Sequence, residues 1–244
     1  TPAGLERLDD ALCGRDKVVR FLAQAWGAPA GYKAGLTNPA VQQRFGHAAP
    51  LRGTLFRAGL LPDGAEVPAA FGTRSVFEAD LLVAVGDPTA LARAETPDEA
   101  LKALQAVIPF IELPDLMVSD PSTLSGPMLA LVNVGARLGV MGTPRPVPQD
   151  DQGWSEALAT MTVTITDGTG TVLDSGRGSA ILGHPLRAAM WLARDLAASG
   201  TPLRRGDLLS LGSFSRLLAP KPGLDITVRY AGLPGDPEVR VRFR

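Results

Sequence analysis

The sequence of 244 residues has few of the residue types on which many protein sites depend. Its single cysteine, Cys13, cannot form a disulfide within the chain, and it excludes a cluster of thiolate metal ligands. The two histidines, His47 and His184, are too few for a histidine-rich zinc site. Aromatic residues make up only 5% of the chain, which argues against a stacking surface for single-stranded nucleic acid.

Charge and hydropathy exclude further classes of protein. A formal net charge of −1 gives no electrostatic reason to expect binding to nucleic acid or to an anionic membrane. No apolar run approaches the roughly 18 residues that a membrane-spanning helix needs. The glycine motifs of dinucleotide-binding and P-loop folds and the GxSxG motif of serine hydrolases are absent. The composition, 45% hydrophobic and 20% charged, is that of a globular protein, and we expect one domain over residues 1–244.

Three carboxylates lie inside apolar runs, where a charge is costly. Glu78 and Asp80 occur in the run SVFEADLLVAV, and Glu112 occurs in IPFIELPDL. Side chains alternate along a strand, so Glu78 and Asp80 are expected on one face, with Glu112 on the next apolar strand. A buried carboxylate is paired, protonated or bound to a metal. Three oxygen ligands suit Mg²⁺ or Mn²⁺, and the alternative is pairing with arginines on a solvated strand face.

The remaining pattern predicts an α+β fold with more strands than helices and a large mixed or antiparallel sheet. Helical periodicity covers residues 5–26, and residues 39–45 are expected to form one or two helical turns. Residues 50–58 are expected to be irregular. A β-hairpin is predicted around Asp167 and Gly168, and the last strands are expected in the tail.

Several polar residues are candidates for roles in a site. Lys33 lies between glycines in GYKAGLT, where the backbone can approach a ligand closely, although a solvated lysine beside a turn fits the same pattern. Ser213 and Ser215 follow an apolar strand, where their hydroxyl groups could contact a ligand. His184 precedes a proline at the start of a helix, which favours a capping role.

Several segments together resemble the 2-keto-4-pentenoate hydratase family, which includes the 4-oxalocrotonate decarboxylases and belongs to the fumarylacetoacetate hydrolase superfamily. The resemblance covers residues 12–243. It is carried, in order, by GYKAGLTNPAVQQRFG, FEADLLVAVGD, IPFIELPD, NVGARLGVMG, the long segment GHPLRAAMWLARDLAASGTPLRRGDLLSLGSFS, and VRVRF.

The resemblance implies a rolled mixed β-sheet with flanking helices and a divalent metal, Mg²⁺ or Mn²⁺. The family's metal ligands match Glu78, Asp80 and Glu112, and Lys33 matches the lysine that assists proton transfer. The implied activity is hydration of a 2-hydroxy-dienoate or its 2-oxo tautomer through a metal-stabilised enolate, with Ser213 as a further catalytic candidate. Substrate binding is expected at Leu55 and Ser215.

The sequence also departs from the family pattern. Asp80 stands where the family usually has glutamate, so the metal is expected closer to the strand or bridged by a water. The family's acid in P-D-[Tyr or Phe]-G is replaced by Leu51 and Arg52, and Gly135 replaces a serine. Arg52 is a candidate to hold a second substrate carboxylate, because a guanidinium matches a carboxylate bidentately, although a surface arginine in a loop is equally compatible.

These departures leave alternative functions open. One is decarboxylation or tautomerisation of a vinylogous 2-oxo acid, and another is a catalytically weak, ligand-binding relative. We expect a small 2-oxo or 2-hydroxy acid as the ligand, no nucleic acid, no membrane and a homo-oligomer. The resemblance implies an additional N-terminal helix before residues 5–26, which we expect to be missing or replaced in this chain. A cytoplasmic protein is expected, or an exported, periplasmic one if a leader was removed.

Overall fold

The computed structural model describes residues 7–148, 150 and 152–244. Its helices are α1 (Leu8–Trp26), α2 (Pro39–Arg44), α3 (Pro88–Arg93), α4 (Pro97–Lys102), α5 (Gly126–Leu131), α6 (Trp154–Thr160) and α7 (Leu186–Ala198). Its strands are β1 (Pro29–Gly35), β2 (Leu51–Phe56), β3 (Leu60–Pro62), β4 (Ala65–Val67), β5 (Glu78–Val85), β6 (Leu104–Leu113), β7 (Leu138–Met141), β8 (Arg145–Pro146), β9 (Thr162–Asp167), β10 (Val172–Arg177), β11 (Leu208–Ser210), β12 (Asp225–Ala231) and β13 (Glu238–Phe243). No helix in these ranges is long and apolar enough to cross a membrane.

The strands form two mixed sheets. The larger has the order β2-β1-β11-β5-β6-β7-β3, with β8 paired to β6, and the smaller has the order β10-β9-β12-β13-β4. Strand pairs β1–β11, β3–β7 and β4–β13 are parallel, and the others are antiparallel. The main apolar core contains residues from both sheets and from α7. The α+β prediction is therefore confirmed.

Local sequence signals account for several of these elements. Thr96 caps α4 with a reciprocal capping box to Glu99, and Asn38 caps α2 by accepting from the backbone N–H of Ala40. The predicted hairpin is formed by β9 and β10. The Nδ1 atom of His184 accepts from the backbone N–H of Leu186 at 3.1 Å, so the predicted capping role is confirmed.

Two predictions of local structure need correction. Residues 50–58 are not irregular, because most of this segment forms β2, which pairs antiparallel with β1. Pro50 and Gly53 suggested a loop, and pairing with β1 overrides that local preference. The first helix begins at Leu8, and the predicted residues 5 and 6 lie outside the described residues.

One tyrosine links the two sheets behind the carboxylate strands. Tyr230 extends from β12 and is fully buried, and its hydroxyl accepts from the N–H of Phe110 at 3.0 Å. The same hydroxyl lies within hydrogen-bond distance of the carbonyl oxygens of Asp80 and Phe110. Burial raises the pKa of this phenol, so it remains a neutral donor. The hydroxyl thus ties β5 to β6 at the point where the carboxylates begin.

Candidate active site

Glu78 and Glu112 face each other across the central strand pair. They are direct partners in the antiparallel register of β5 and β6, and Asp80 lies opposite Phe110 two positions further on. The exposed fractions are 9% for Glu78, 0% for Asp80 and 1% for Glu112. The structure therefore places all three carboxylates in the interior, not on a solvated strand face.

Lys33 reaches this pair from β1. Its buried ammonium group donates to Glu112 Oε1 in a short ion pair and to the carbonyl oxygen of Val134 at 3.1 Å. Gly53, its partner on β2, leaves room for the lysine, since a Cβ there would lie 2.9 Å from Lys33 Cγ and 2.6 Å from the carbonyl oxygen of Asn133. The chain thus holds the ammonium group against Glu112.

The carboxylates outnumber the cations that contact them. Burial, together with the charge of Glu112, raises the pKa of Asp80 to about 8, and the same two causes raise the pKa of Glu78 well above its usual value. Burial lowers the pKa of Lys33, but the charges of Glu112 and Glu78 outweigh burial, and the net shift is upward. Lys33 is therefore protonated at neutral pH.

Asp80 points towards β11. Its Oδ1 accepts from the backbone N–H groups of Leu211 at 3.1 Å and Gly212 at 3.0 Å, and its Oδ2 accepts from the hydroxyl of Ser210 at 2.5 Å. These bonds fix the turn after β11. Among the described residues, no three histidine, cysteine, aspartate or glutamate side chains are arranged to hold a metal ion together. Asp80 is thus engaged by β11 and the turn after it, and the convergence of all three carboxylates on one metal ion stays a prediction.

The Glu78–Glu112 pair does fit a divalent cation. Glu112 Oε2 is buried without a hydrogen-bond partner in the described residues. A buried carboxylate oxygen without a partner would be stabilised by a proton or a bound cation. Oxygen donors and excess negative charge are the features that hard divalent ions select. Two of the three predicted ligands are thus suitably placed.

A cavity of about 600 Å³ opens beside this pair. Lys33, Glu78, Ser213 and Ser215 line its polar part. Its apolar wall includes the following residues: Leu36, Val41, Phe45, Leu129, Val134 and Leu217. The volume lies in the range of small-molecule sites, and the lining combines an apolar wall with a few polar groups, as such sites usually do.

The serine hydroxyls are held in place at the end of β11. Ser213 Oγ donates to the carbonyl oxygen of Ser215 at 2.8 Å, and Ser215 Oγ accepts from the N–H of Ala79 at 3.0 Å. These bonds tie the turn to β5. The structure therefore brings both predicted serines to the cavity, and their roles in catalysis or binding stay predictions.

Arg52 does not enter this cavity, which corrects its predicted catalytic role. Its guanidinium pairs with Asp195 of α7 at 2.5 Å and donates to Ser199 at 3.1 Å, and it lines a separate cavity with Tyr32. Arg52 follows Leu51 in a strand, and alternation puts it on the face opposite Gly53 and Lys33. It therefore cannot hold a substrate carboxylate near Glu78.

Leu55 also lies away from the cavity, contrary to its predicted role in substrate binding. It is on the same side of β2 as Gly53, but two positions further along. There it packs in a buried apolar cluster with Leu82 and Ile108. Leu55 contributes to the core instead.

The sequence interpretation noted the serine replaced by Gly135 but missed the backbone conformation of Asn133–Gly135. Its three residues have φ values of 56°, 55° and 68°, and a positive φ is rare for a β-branched residue such as Val134. The Asn133 side chain pairs with Thr54, accepting from its N–H at 2.7 Å and donating to its carbonyl at 2.9 Å. This pairing holds the Val134 carbonyl towards Lys33. Asn133 and Gly135, on either side of Val134, were the signal, because both residue types tolerate positive φ.

Replacing Asn133 with alanine should destabilise the fold by about 2–4 kcal/mol, because both backbone polar groups of Thr54 would be buried without partners. Urea unfolding of the variant would measure this loss. Asn38→Ala is the matched control, since it removes an exposed helix cap worth about 1 kcal/mol. Equal losses in the two variants would contradict a special role for Asn133.

Comparison with known proteins identifies the family. The 2-keto-4-pentenoate hydratase of Paraburkholderia phymatum is 33% identical over 204 residues, which are 83% of this chain and 74% of that protein. The corresponding enzyme of Burkholderia vietnamiensis is 34% identical with the same coverage. The chain belongs to the 2-keto-4-pentenoate hydratase family. No family model matches the chain.

The chain is also similar to 4-oxalocrotonate decarboxylases, both in sequence and in structure. A 4-oxalocrotonate decarboxylase of Pseudomonas putida is 29% identical over 83% of this chain and 74% of its own. A 4-oxalocrotonate decarboxylase from Pseudomonas putida G7, complexed with magnesium and adipate, superimposes with a TM-score of 0.82 at 26% identity, covering 98% of this chain and 86% of that one.

More distant solved structures share the fold. A fumarylpyruvate hydrolase from Pseudomonas aeruginosa, in complex with Mn²⁺ and pyruvate, has a TM-score of 0.62 at 15% identity, covering 87% of this chain and 89% of that one. The family consists of enzymes, the hydratases being lyases.

Proposed function

We propose that the protein is a Mg²⁺-dependent hydratase that acts on a 2-hydroxy-dienoate or its 2-oxo-enoate tautomer. The observation that carries this proposal is the buried contact of Lys33 with Glu112 at a cavity that Glu78 also lines. In this arrangement the ammonium group of Lys33 lies beside the two glutamate carboxylates, so one small acid could contact the ammonium group and an ion held by the carboxylates. The names of the relatives at 33% and 34% identity support the reaction class.

Glu78 and Glu112 would hold the ion, with Asp80 contributing its charge or a contact through water. A bound divalent ion supplies Lewis-acid stabilisation of negative charge on the substrate's 2-oxygen. All candidate donors are oxygens, which suits Mg²⁺. Mn²⁺ suits the same donors and is the alternative ion.

Lys33 would move the proton that hydration requires. During ketonisation a dienol loses a proton from its 2-hydroxyl group and gains one at a distant carbon. A protonated Lys33 can supply the proton to carbon, and its amine can take up the hydroxyl proton. Glu112 and the Val134 carbonyl hold the Nζ atom in position for both steps. Ser213 and Ser215 would orient the substrate or the attacking water from the cavity wall.

A second candidate reaction is decarboxylation of a vinylogous 2-oxo acid. The similarity to a 4-oxalocrotonate decarboxylase, with 26% identity and coverage of 98% of this chain, makes this reaction a candidate, and it would use the same metal and the same enolate. Tautomerisation of the same acid would need only the proton-transfer step, without loss of carbon dioxide. The remaining alternative is that the protein is a catalytically weak relative of these enzymes, because Leu51 and Arg52 replace the acid of the family's motif.

Product analysis separates these possibilities. The protein is incubated with 2-hydroxypenta-2,4-dienoate or 2-oxohex-3-enedioate, with Mg²⁺, with Mn²⁺ or with a chelator. A 4-hydroxy-2-oxo acid from the first compound supports the hydratase, whereas release of carbon dioxide from the second supports the decarboxylase. No turnover of either compound with either ion would contradict the enzyme proposal and favour the weak relative.

Metal removal should make stability depend on pH. The raised pKa of Asp80, about 8, means that the folded protein binds this proton more tightly than the unfolded chain does. Stability from this group is therefore present at low pH and is lost as pH rises towards 8. We expect the Tm of chelator-treated protein to fall by roughly 5–10 °C between pH 5 and 8.

Calorimetry or far-UV circular dichroism would measure this change, and added Mg²⁺ should reduce it by compensating the carboxylate charge. Asp80→Asn is the control, because an amide does not titrate. The variant should show a smaller fall in Tm, with the remainder due to Glu78, whose pKa is also raised. A Tm that rises with pH in chelator would contradict the assignment of this effect to the buried Asp80 carboxyl group.

A further inference from the structure

Three cations line the cavity, and two of them already have carboxylate partners. Lys33 pairs with Glu112, and Arg216 pairs with Asp174 at 3.2 Å. Arg44 has no hydrogen bond and no ion pair to any of residues 7–148, 150 and 152–244. A cation that lines a ligand cavity without a protein partner is available to a ligand anion.

The position of Arg44 suits this use. It is the last residue of α2, and its guanidinium carbon lies 5.6 Å from the ring centroid of Phe45, which also lines the cavity. Cation–π contact of this kind holds the guanidinium plane without occupying its N–H groups. Those donors stay free to form a forked pair with a carboxylate.

The lining of the cavity combines charged groups with an apolar wall. Lys33, Glu78 and Arg44 all line it, and the apolar residues Val41 and Leu129 contribute to the same wall. A ligand with a carboxylate at each end of a short carbon chain matches this distribution. A monocarboxylate would leave Arg44 unpaired.

We propose that Arg44 binds the distal carboxylate of the substrate, so that the protein prefers 2-oxo dicarboxylic acids over monocarboxylic ones; the inference rests on the proposed function for the other end of the substrate. Arg52, the arginine that the sequence suggested for this task, is engaged by Asp195 in a separate cavity. Arg44 is therefore a substrate-binding residue that sets specificity.

Binding of unreactive acids tests the inference separately from turnover. Adipate, pentanoate and 6-aminohexanoate are titrated calorimetrically into the Mg²⁺-loaded protein and its variants. We expect the wild-type protein to prefer adipate over pentanoate by about threefold to fivefold, in the upper part of the range for exposed ion pairs. Arg44→Gln should abolish this preference without changing pentanoate affinity. Arg44→Glu should favour 6-aminohexanoate over adipate.

Arg93→Gln is the matched control, because Arg93 is an exposed arginine at the end of another helix and does not line the cavity. Equal affinity of the wild-type protein for adipate and pentanoate would overturn the inference, as would an equal loss of both ligands in Arg44→Gln. A retained adipate preference without turnover of any 2-hydroxy-dienoate would refute the proposed reaction while supporting the role of Arg44.

Discussion

Replacing Lys33 with methionine is expected to lower kcat by about 10²- to 10⁴-fold, the usual contribution of a positioned general acid or base. Methionine has a similar length and no proton to transfer, so the cavity shape should be kept. The ammonium group lies against Glu112, within reach of any ligand held by Glu78 and Glu112. Steady-state kinetics on the substrate that the product analysis identifies would measure the loss.

Metal affinity distinguishes this role from a structural one. Removing the positive charge beside the carboxylates should leave Mg²⁺ binding intact or strengthen it, because a competing cation is lost. Lys102→Met, at the exposed end of α4, is the control for a lysine without a site role. Turnover at the wild-type rate by a folded Lys33→Met protein would reduce Lys33 to a structural residue.

Replacing Glu112 with glutamine should weaken divalent-ion binding by about 100-fold or more. Changes even to groups that only orient metal ligands cost about 10–100-fold, and Glu112 is proposed as a direct ligand. Its unpartnered Oε2 is the atom expected to gain most from the ion. Glutamine keeps the shape but removes the charge and one acceptor. Titration calorimetry with Mg²⁺ and electron paramagnetic resonance with Mn²⁺ would report affinity without any need for turnover.

Two further variants make this test specific. Glu156→Gln changes an exposed glutamate of α6 and should leave affinity unchanged. Asp80→Asn should weaken binding less than Glu112→Gln does, because the Asp80 oxygens are already engaged by Ser210 and by two backbone N–H groups. If Glu112→Gln binds the ion as tightly as the wild-type protein, the ion site lies elsewhere.

The sequence predicted the carboxylate strands because a charge within an apolar run is a strong local signal. Alternation along β5 and the next apolar strand were sufficient to expect Glu78 and Glu112 close together. Lys33 was found through its glycine neighbours and the family resemblance. These predictions depended on short-range patterns, which the printed residues carry directly.

The errors arose where the answer depended on distant residues. The face to which Arg52 points follows from the pairing of β2 with β1, and no local pattern reveals Asp195 as its partner. The direction of Asp80 is set by backbone groups of the turn after β11, more than 100 residues away in sequence. A carbonyl such as that of Val134 leaves no side-chain signature at all.

The hydroxyl of Tyr230 has a consequence for how the site is made during synthesis. It bonds to groups 120 and 150 residues earlier in the chain, at Phe110 and Asp80. Contacts of such separation close late in folding, because the loop entropy is lost before any contact energy is gained. During synthesis the strands β5 and β6 are therefore present long before the Tyr230 hydroxyl can form its hydrogen bonds to them. Removing β12 and β13 should leave a chain that contains every proposed metal ligand but no ordered site.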